Sequence, residues 1–295
     1  DRSPSRGLGD VYKRQLVYNS LVSTGDEVVS VLPTYQQHYS IPKSLGASVA
    51  ILRLMPENNF LPDITTLKQL VTSRTKLIAL NNPNNPTGSL MDENMLNRIV
   101  EIAQSFGAYI ICDEVYRGTN QKGNGYGPSI ADLYAKGIST GSMSKTYSLA
   151  GLRLGWITAS PQILEQISIH RDYNTISVGM LDDYFASIAL EHRDKIALRN
   201  LKITRNNLQI LDNWVKNENY ISYVKPSAGT TALLKYEYDI PSRDFCIQIL
   251  ENTGVLFAPG SAMDMEGWLR IGYANDPSVL SDGLQTLSKY LKTLK

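Results

Sequence analysis

Short apolar segments alternate with amphipathic segments along the first half of the chain. Segments such as Glu27–Leu32 and Thr75–Leu80 are nearly continuous apolar runs, which predicts strands buried on both faces. The predicted strands are Glu27–Leu32, Ser48–Leu52, Thr75–Leu80, Ala108–Cys112, Ile138–Ser142 and Leu154–Ala159, and the predicted helices are Gln36–Leu45, Ile64–Leu70 and Asp92–Phe106. Strands that alternate with helices in this way predict an α/β fold, with a mostly parallel sheet between helices.

The alternation ends near Ser160, and the pattern after it predicts a smaller α+β unit at the C-terminus. Its predicted helices are Gln162–Arg171, Leu181–Glu191, Arg193–Asn217, Arg243–Asn252 and Ser278–Leu294, and its predicted strands are Ile221–Val224, Thr231–Lys235, Val255–Phe257 and Trp268–Ile271. We therefore expect a large domain over residues 16–185 and a small domain over residues 186–295, which includes a long bridging helix.

Residues 1–15 do not follow the alternation of apolar and amphipathic segments. The sequence DRSPSRGLGDVYKRQ has no initiator Met, no apolar segment of a secretory signal and little periodicity. We expect a non-native or disordered start over residues 1–15, with the chain's true N-terminus missing, so that the sequence is a fragment of a longer protein.

Composition narrows the function classes. The net charge of +1 gives no electrostatic reason to expect a nucleic acid or an anionic membrane as a partner. No apolar stretch approaches the roughly 20 residues of a membrane span. The two cysteines cannot form a framework of disulfides, and the three histidines lack the spacing of metal ligands. We expect a cytoplasmic protein without a metal site.

Lys145 is the first candidate for chemistry. It follows a predicted buried strand, at the edge of a parallel sheet where such folds bind ligands. Burial and neighbouring cations can lower the pKa of an amine there and make it a nucleophile for Schiff-base chemistry. Arg153, eight residues later, can bind an anion with its planar fork. Either residue by itself is more often a solvated surface charge.

Three further groups follow predicted strands of the same sheet. Asp113 and Tyr116 come after Ala108–Cys112, Asn85 lies in the Pro-rich turn after Thr75–Leu80, and Tyr35 follows Glu27–Leu32. A buried carboxylate is costly unless it meets a cation, although an Asp here could also be a helix cap. The turn and the tyrosine could equally be structural. Together, however, these groups converge on one edge of the sheet.

The ordered set of motifs resembles the class I/II aminotransferases, which are enzymes of PLP fold type I. These motifs are N-x-x-N-P-T-G ending at Gly88, D-E-x-Y starting at Asp113, S-x-S-K ending at Lys145, and L-R-I-G around Arg270. The resemblance implies the fold type I architecture, pyridoxal 5′-phosphate (PLP) as cofactor, and an α-amino acid and a 2-oxo acid as substrates. It also implies a homodimer in the full-length form.

The resemblance further implies a role for each residue. Lys145 would hold the cofactor as a Schiff base and move the substrate proton. Asp113 would pair with the pyridine nitrogen, Asn85 and Tyr116 would bind the ring oxygen, and Tyr35 would stack on the ring. Ser142 and Arg153 would hold the phosphate. Arg270 would bind the substrate carboxylate, beside Asn85. The Asn85–Pro86 bond is expected to be cis.

Alternatives remain open from sequence alone. Met55–Asp63 and Arg171–Ser177 are similar to segments of capreomycidine synthase, a type of PLP enzyme that performs elimination and ring closure. An aminotransferase-like domain of a PLP-sensing transcription regulator is a second alternative, which a basic helix-turn-helix pattern upstream would favour. A catalytically silent relative is the third, and the complete set of motif residues argues against it.

Overall fold

A computed structural model describes residues 5–9 and 12–294. Seven strands form the larger of two sheets: β1 (Ser5–Gly9), β2 (Glu27–Leu32), β3 (Ser48–Arg53), β4 (Thr75–Asn81), β5 (Tyr109–Asp113), β6 (Gly137–Ser142) and β7 (Leu154–Thr158). Their spatial order is β1-β7-β6-β5-β4-β2-β3. The pairs from β3 to β6 are parallel, whereas β7 is antiparallel to both β6 and β1. The predicted, mostly parallel sheet is confirmed.

Six helices accompany this sheet: α1 (Tyr12–Leu21), α2 (Gln37–Ser44), α3 (Ile64–Leu70), α4 (Glu93–Phe106), α5 (Ile130–Leu133) and α6 (Pro161–Asp172). Local chemistry sets the bounds of α4. The Asp92 side chain accepts a hydrogen bond from the Met95 amide at 2.8 Å, and Gly107 ends the helix with a positive φ of 71°. The apolar face of α4 packs against strands β3 to β5 in one continuous core.

The second sheet has four strands: β8 (Ile221–Tyr223), β9 (Thr231–Tyr236), β10 (Ala258–Pro259) and β11 (Trp268–Gly272). Their order is β10-β11-β9-β8, and all neighbours are antiparallel. The remaining helices are α7 (Met180–Glu191), α8 (Arg193–Val215), α9 (Ser242–Thr253) and α10 (Pro277–Leu291). Helices α8, α9 and α10 enclose a second core with this sheet.

Helix α8 connects the two sheets through buried asparagines. The Asn200 side chain donates a hydrogen bond to the carbonyl of Thr146, in the loop after β6. The Asn207 side chain donates to the carbonyls of Tyr273 at 2.8 Å and Asn275 at 2.6 Å, just after β11. One helix therefore fixes loops from both sheets.

Two expectations differ from the structure. The apolar run Val255–Phe257 is not a strand; the pairing begins at Ala258, which lies opposite Arg270. At the start of the chain, in the stretch expected to be non-native or disordered, Ser5–Gly9 forms strand β1 and Tyr12 begins helix α1. These elements differ from a disordered start, whereas a non-native origin of residues 1–15 stays a prediction. Residues 1–4, 10 and 11 lie outside the described residues.

In the described part of the chain, no helix has the length and apolarity needed to cross a membrane. Within the same residues, no cluster of three His, Cys, Asp or Glu side chains is arranged to hold a metal ion.

Candidate active site

Asp113 ends strand β5 and lies between register partners on both neighbouring strands, Asn81 of β4 and Thr140 of β6. The Thr140 hydroxyl donates a 2.8 Å hydrogen bond to one Asp113 carboxylate oxygen. The Asn81 side chain donates to the Asp113 carbonyl at 2.7 Å. Asp113 is 2% exposed. Parallel strands end at the same edge, so their last residues orient a buried carboxylate at the carboxyl edge of the sheet.

The adjacent Glu114 is held in a different environment. Its carboxylate accepts hydrogen bonds from the Ser129 hydroxyl at 3.1 Å and the Ile130 amide at 2.8 Å. Burial raises the pKa of Glu114 above its usual value. Glu114 therefore anchors the start of α5, whereas Asp113 ends β5 at the carboxyl edge of the sheet.

A cavity of about 430 Å³ lies beside this edge, between the two sheets. Five of the residues singled out from the sequence line it: Tyr35, Asn85, Tyr116, Lys145 and Arg270. Thr230, Thr231 and Asn275 line its other side. Residues from four loops of the larger sheet and from strands β9 and β11 of the second sheet thus meet around one space.

The Pro-rich turn after β4 fixes Asn85 at the cavity. The Asn85–Pro86 bond is cis, which confirms the prediction, and Asn82–Pro83 is cis as well. The backbone amide of Asn85 donates a 2.8 Å hydrogen bond to the side-chain oxygen of Asn81. The Asn81 side chain therefore forms hydrogen bonds with both the turn and the Asp113 carbonyl, and so connects these two segments.

Lys145 lies in the loop after β6, with its amine 5.9 Å from the centre of the Tyr116 ring. The Tyr116 side chain is 3% exposed, whereas Lys145 is exposed to the cavity space. Arg270 approaches from β11, where Leu233 is its register partner on β9. An amine, a phenol and a guanidinium that share one cavity can bind and deprotonate an amino acid.

The two predicted phosphate-binding residues lie outside the lining of this cavity. Ser142 is buried, and its hydroxyl accepts a 3.2 Å hydrogen bond from the Ser144 amide. It lines a smaller space, of about 160 Å³, with Trp156 and Glu114. Arg153 is exposed and donates a 2.9 Å hydrogen bond to the Ala150 carbonyl. Their role in binding phosphate stays a prediction.

The sequence analysis did not single out His38, which interacts electrostatically with Asp113. Its side chain is fully buried, and Nδ1 shares a 2.9 Å hydrogen bond with the Tyr18 hydroxyl. Burial lowers the pKa of His38 to about 4, although the Asp113 carboxylate acts in the opposite direction. The available clue was its position: His38 is a polar residue three positions after Tyr35, at the start of a helix that packs on the sheet.

Arg14 also contacts Asp113. Its guanidinium forms a buried ion pair with the Asp113 carboxylate, and its Nε donates a 2.8 Å hydrogen bond to the Gln37 side chain. Its central carbon lies 4.9 Å from the centre of the Tyr35 ring. Burial acts to raise the pKa of Asp113, but the charges of Arg14 and Lys13 outweigh it and lower that pKa below its usual value.

A family model for class I and II aminotransferases matches residues 14–286. The chain belongs to this family. Both the resemblance and the expectation of a PLP-dependent aminotransferase fold are thereby confirmed, and the chain is an enzyme of the PLP-dependent aminotransferase type.

Similar proteins agree with this assignment. Capreomycidine synthase of Streptomyces vinaceus is 30% identical over 269 residues, which cover 91% of this chain and 69% of that protein. Aspartate aminotransferase of Pyrococcus horikoshii is 29% identical, covering 94% of this chain and 72% of that protein. The crystal structure of a PLP-dependent aminotransferase from Streptococcus suis 89-1591 superposes with a TM-score of 0.95 at 43% identity, covering 99% of this aminotransferase and 77% of that chain.

The cofactor that the family implies can be compared with the residues present. The Asp113 carboxylate is buried and is stabilised by a cation, and the pyridinium nitrogen of PLP would be a cation of this kind. The hydroxyl of Ser144, one residue before Lys145, is buried without a hydrogen-bond partner, so a polar group is still missing there. Asp113, Lys145, Tyr116, Asn85 and Tyr35 fit PLP in chemistry and placement. Two observations conflict with this fit: Arg14 contacts both Asp113 and Tyr35, and the predicted phosphate-binding residues Ser142 and Arg153 lie outside the cavity lining.

Proposed function

We propose that this aminotransferase exchanges the amino group of an α-amino acid with a 2-oxo acid, with PLP bound as a Schiff base to Lys145. The observation that carries the proposal is the single cavity shared by Lys145, Tyr116, Asn85, Tyr35 and Arg270, with Asp113 at the adjoining sheet edge. When bound, PLP supplies the electron sink that stabilises negative charge at the substrate Cα.

Each residue has a defined task in this proposal. The Arg270 guanidinium binds the substrate α-carboxylate as a bidentate pair and so orients the Cα. Once the substrate amine has displaced it from the cofactor, the Lys145 amine would move the proton from that carbon to the cofactor C4′. Asp113, fixed by Thr140, holds a positive charge on the ring nitrogen. Asn85 and Tyr116 donate hydrogen bonds to the ring oxygen.

The Lys145→Ala variant tests this proposal. With PLP added, the parent chain should show the visible absorbance band of a Schiff base, and sodium borohydride should remove this band by fixing the cofactor to the protein. The variant should lack both the band and the covalent mass increase of the reduced adduct. Lys136→Ala, which changes a lysine at the surface, is the matched control and should behave like the parent. A reducible adduct in Lys145→Ala would refute the role of Lys145.

An elimination or cyclisation reaction is the second candidate. It is favoured by the 30% identity to capreomycidine synthase. Incubation with single amino acids, with and without 2-oxoglutarate, distinguishes the two reactions. Transfer produces glutamate only when the oxo acid is present, whereas elimination releases ammonia or a cyclised product without it.

The similar proteins carry enzyme names, which favours both candidates over a transcription regulator.

We also propose that a second copy of the chain covers part of the surface. A run of large apolar side chains on α7 and the loop before it is exposed, and contiguous apolar patches of this kind usually mark interaction sites. These residues are Tyr173, Ile176, Met180, Leu181, Tyr184 and Phe185. A homodimer is the partner that the family resemblance implies.

A cytoplasmic location is likewise a proposal. Cys112 and Cys246 are both buried and unpaired, which is typical of proteins kept in a reducing compartment.

A further inference from the structure

The Arg14 guanidinium lies between two groups that the proposed function assigns to the cofactor ring. It forms an ion pair with Asp113 and lies over the face of Tyr35, with 4.9 Å from its central carbon to the ring centre. The Arg14 side chain is 8% exposed and the Asp113 side chain 3%. A planar cation is therefore already enclosed beside this carboxylate.

The contacts of Arg14 resemble those expected of a pyridinium ring. Both groups are flat, positively charged, able to donate a hydrogen bond to a carboxylate, and able to stack on an aromatic face. One carboxylate oxygen of Asp113 accepts a hydrogen bond from Thr140 and the other pairs with Arg14, so both oxygens already have a partner. Contact of the pyridinium with Asp113 and Tyr35 therefore requires that Arg14 leave both.

Neighbouring contacts hold Arg14 in this position. Its Nε donates a 2.8 Å hydrogen bond to Gln37, the first residue of α2. The preceding Lys13 is fully buried and donates a 3.1 Å hydrogen bond to the carbonyl of Gly141, near the end of β6. Helix α1 is thus attached to the sheet edge at two successive residues, which restricts how Arg14 can withdraw.

We propose that Arg14 is an internal competitor of the cofactor ring: PLP binds fully in this chain only when the guanidinium leaves Asp113 and Tyr35. The inference rests on the proposed function, and it concerns this chain alone because Arg14 belongs to the stretch 1–15 that is expected to be non-native. Affinity falls in proportion to the fraction of molecules in which the site is open, so a site that is open in about one molecule in ten binds PLP about tenfold more weakly.

Replacement of Arg14 by a neutral side chain tests the proposal. Arg14→Gln keeps a hydrogen-bond donor near Asp113 but removes the stacked cation, whereas Arg98→Gln changes an exposed arginine on α4 and serves as the control. PLP dissociation constants are measured by equilibrium dialysis and by quenching of intrinsic fluorescence. We expect Arg14→Gln to bind PLP about tenfold more tightly than the parent and Arg98→Gln to match the parent. Equal or weaker binding by Arg14→Gln overturns the proposal.

Chemical complementation provides a second measurement on a variant with a cavity. In Arg14→Ala, methylguanidinium should fill the vacated space and weaken PLP binding in proportion to its concentration. Sodium chloride at the same ionic strength should have little effect, and the parent chain should not respond to methylguanidinium. If methylguanidinium and sodium chloride act alike on Arg14→Ala, the competition is not at the Arg14 position and the proposal fails.

Failure of this inference can be distinguished from failure of the proposed function. If the parent and Arg14→Gln form the borohydride-reducible adduct with the same PLP affinity, only the role of Arg14 is refuted. If neither protein forms the adduct at any PLP concentration, both the competition and the role of Lys145 are refuted. For variants of low stability, the rise of the melting temperature on PLP addition is compared, and it should be larger for Arg14→Gln than for the parent.

Discussion

Thr140 donates a 2.8 Å hydrogen bond to Asp113, its register partner on the neighbouring strand, inside the sheet. Both residues are almost completely buried. Because a buried carboxylate loses its hydration shell, each remaining donor contributes strongly to holding it ionised and correctly oriented. Thr140 is therefore a positioning residue for the group that the cofactor ring would contact.

Thr140→Val removes this donor at nearly constant volume. We expect the free energy of unfolding to fall by about 1.5–3 kcal/mol, as for the loss of a hydrogen bond to a charged group, and PLP affinity to fall with it. Urea denaturation and PLP titration measure the two effects. Thr140→Ser keeps the hydroxyl and should restore most of the affinity. Parent-like PLP binding by Thr140→Val would show that Thr140 does not position Asp113.

The pH dependence of stability should contain a contribution from His38. Its pKa is lowered by burial to about 4 in the folded protein, so the unfolded chain binds more protons between pH 6.5 and 4. Tyr18, Asp113, Arg14 and Lys13 are the titratable groups around it. The contribution of His38 to the free energy of unfolding is fully present above pH 6.5, and it falls by about 3 kcal/mol as the pH drops towards 4.

His38→Gln isolates this contribution, because glutamine does not titrate. Urea denaturation at half-unit steps from pH 7 to pH 4 should show a shallower loss of stability in His38→Gln than in the parent. Asp113 has a lowered pKa, so its own loss of stability comes at lower pH than that of His38. Parallel curves for the two proteins would contradict the buried, neutral state of His38.

Arg270→Ala should mainly raise KM for amino acids, because the guanidinium binds a carboxylate that is present in both the ground and transition states. We expect an increase of roughly 10- to 100-fold, equivalent to losing a charged hydrogen-bond pair. Steady-state kinetics with a productive amino acid measures it. Arg243→Ala, at an exposed position on α9, should keep the parent KM. An unchanged KM in Arg270→Ala would remove Arg270 from the substrate site.

Gly88 should not tolerate a side chain. Its φ is +68°, and a Cβ there would come within 2.5 Å of the Pro226 Cβ and 2.8 Å of the Ala228 carbonyl. Its own carbonyl accepts hydrogen bonds from the Ser227 and Ala228 amides. Gly88→Ala should lower the free energy of unfolding by more than about 2 kcal/mol, since steric overlap adds to the backbone cost.

Gly123 offers the matched control for that change. It has a similar φ of +62°, but a Cβ there would meet no atom within 4 Å. Gly123→Ala should therefore show only the backbone cost, of about 1 kcal/mol. Equal destabilisation in the two variants, measured by urea denaturation, would mean that the approach of Pro226 to Gly88 is not restrictive.

Leu181→Asp should disrupt the proposed homodimer. Leu181 is 70% exposed on the apolar face of α7, and burying an unpaired carboxylate there is costly. Sedimentation equilibrium should show a dimer for the parent and an association at least about tenfold weaker for the variant. Leu256→Asp alters a leucine that is 74% exposed outside this face and should leave the dimer intact. A monomeric parent, or equal effects of both substitutions, would contradict the placement of the interface.

The sheet could be predicted because its strands are nearly continuous apolar runs and its ligand-binding residues follow them directly. Asp113 ends β5, and Lys145 lies three residues after β6. The run Val255–Phe257 misled the prediction because apolar character does not specify hydrogen-bonding partners. Leu256 is 74% exposed, and the backbone pairs with β11 only from Ala258.

Contacts between distant segments were not predictable from local pattern. The position of Arg14 against Asp113 depends on how α1 packs on the sheet, 99 residues away in sequence. His38 is polar and fully buried, which an isolated sequence position does not reveal. The roles of Lys145 and Arg270 are predictions that the variants above test, and phosphate binding by Ser142 and Arg153 remains a prediction.

Helix α8 has a mechanical consequence for the spacing of the site. Asn200 and Asn207 are separated by two helical turns, about 10 Å of rigid rod. Asn200 donates a hydrogen bond to Thr146, the residue next to Lys145, and Asn207 donates one to Tyr273, just beyond Arg270. The distance between the Lys145 amine and the Arg270 guanidinium is thus set by a helix rather than by loops. Opening of the cavity therefore requires that the two loops rotate about α8 or that one of the asparagine hydrogen bonds breaks.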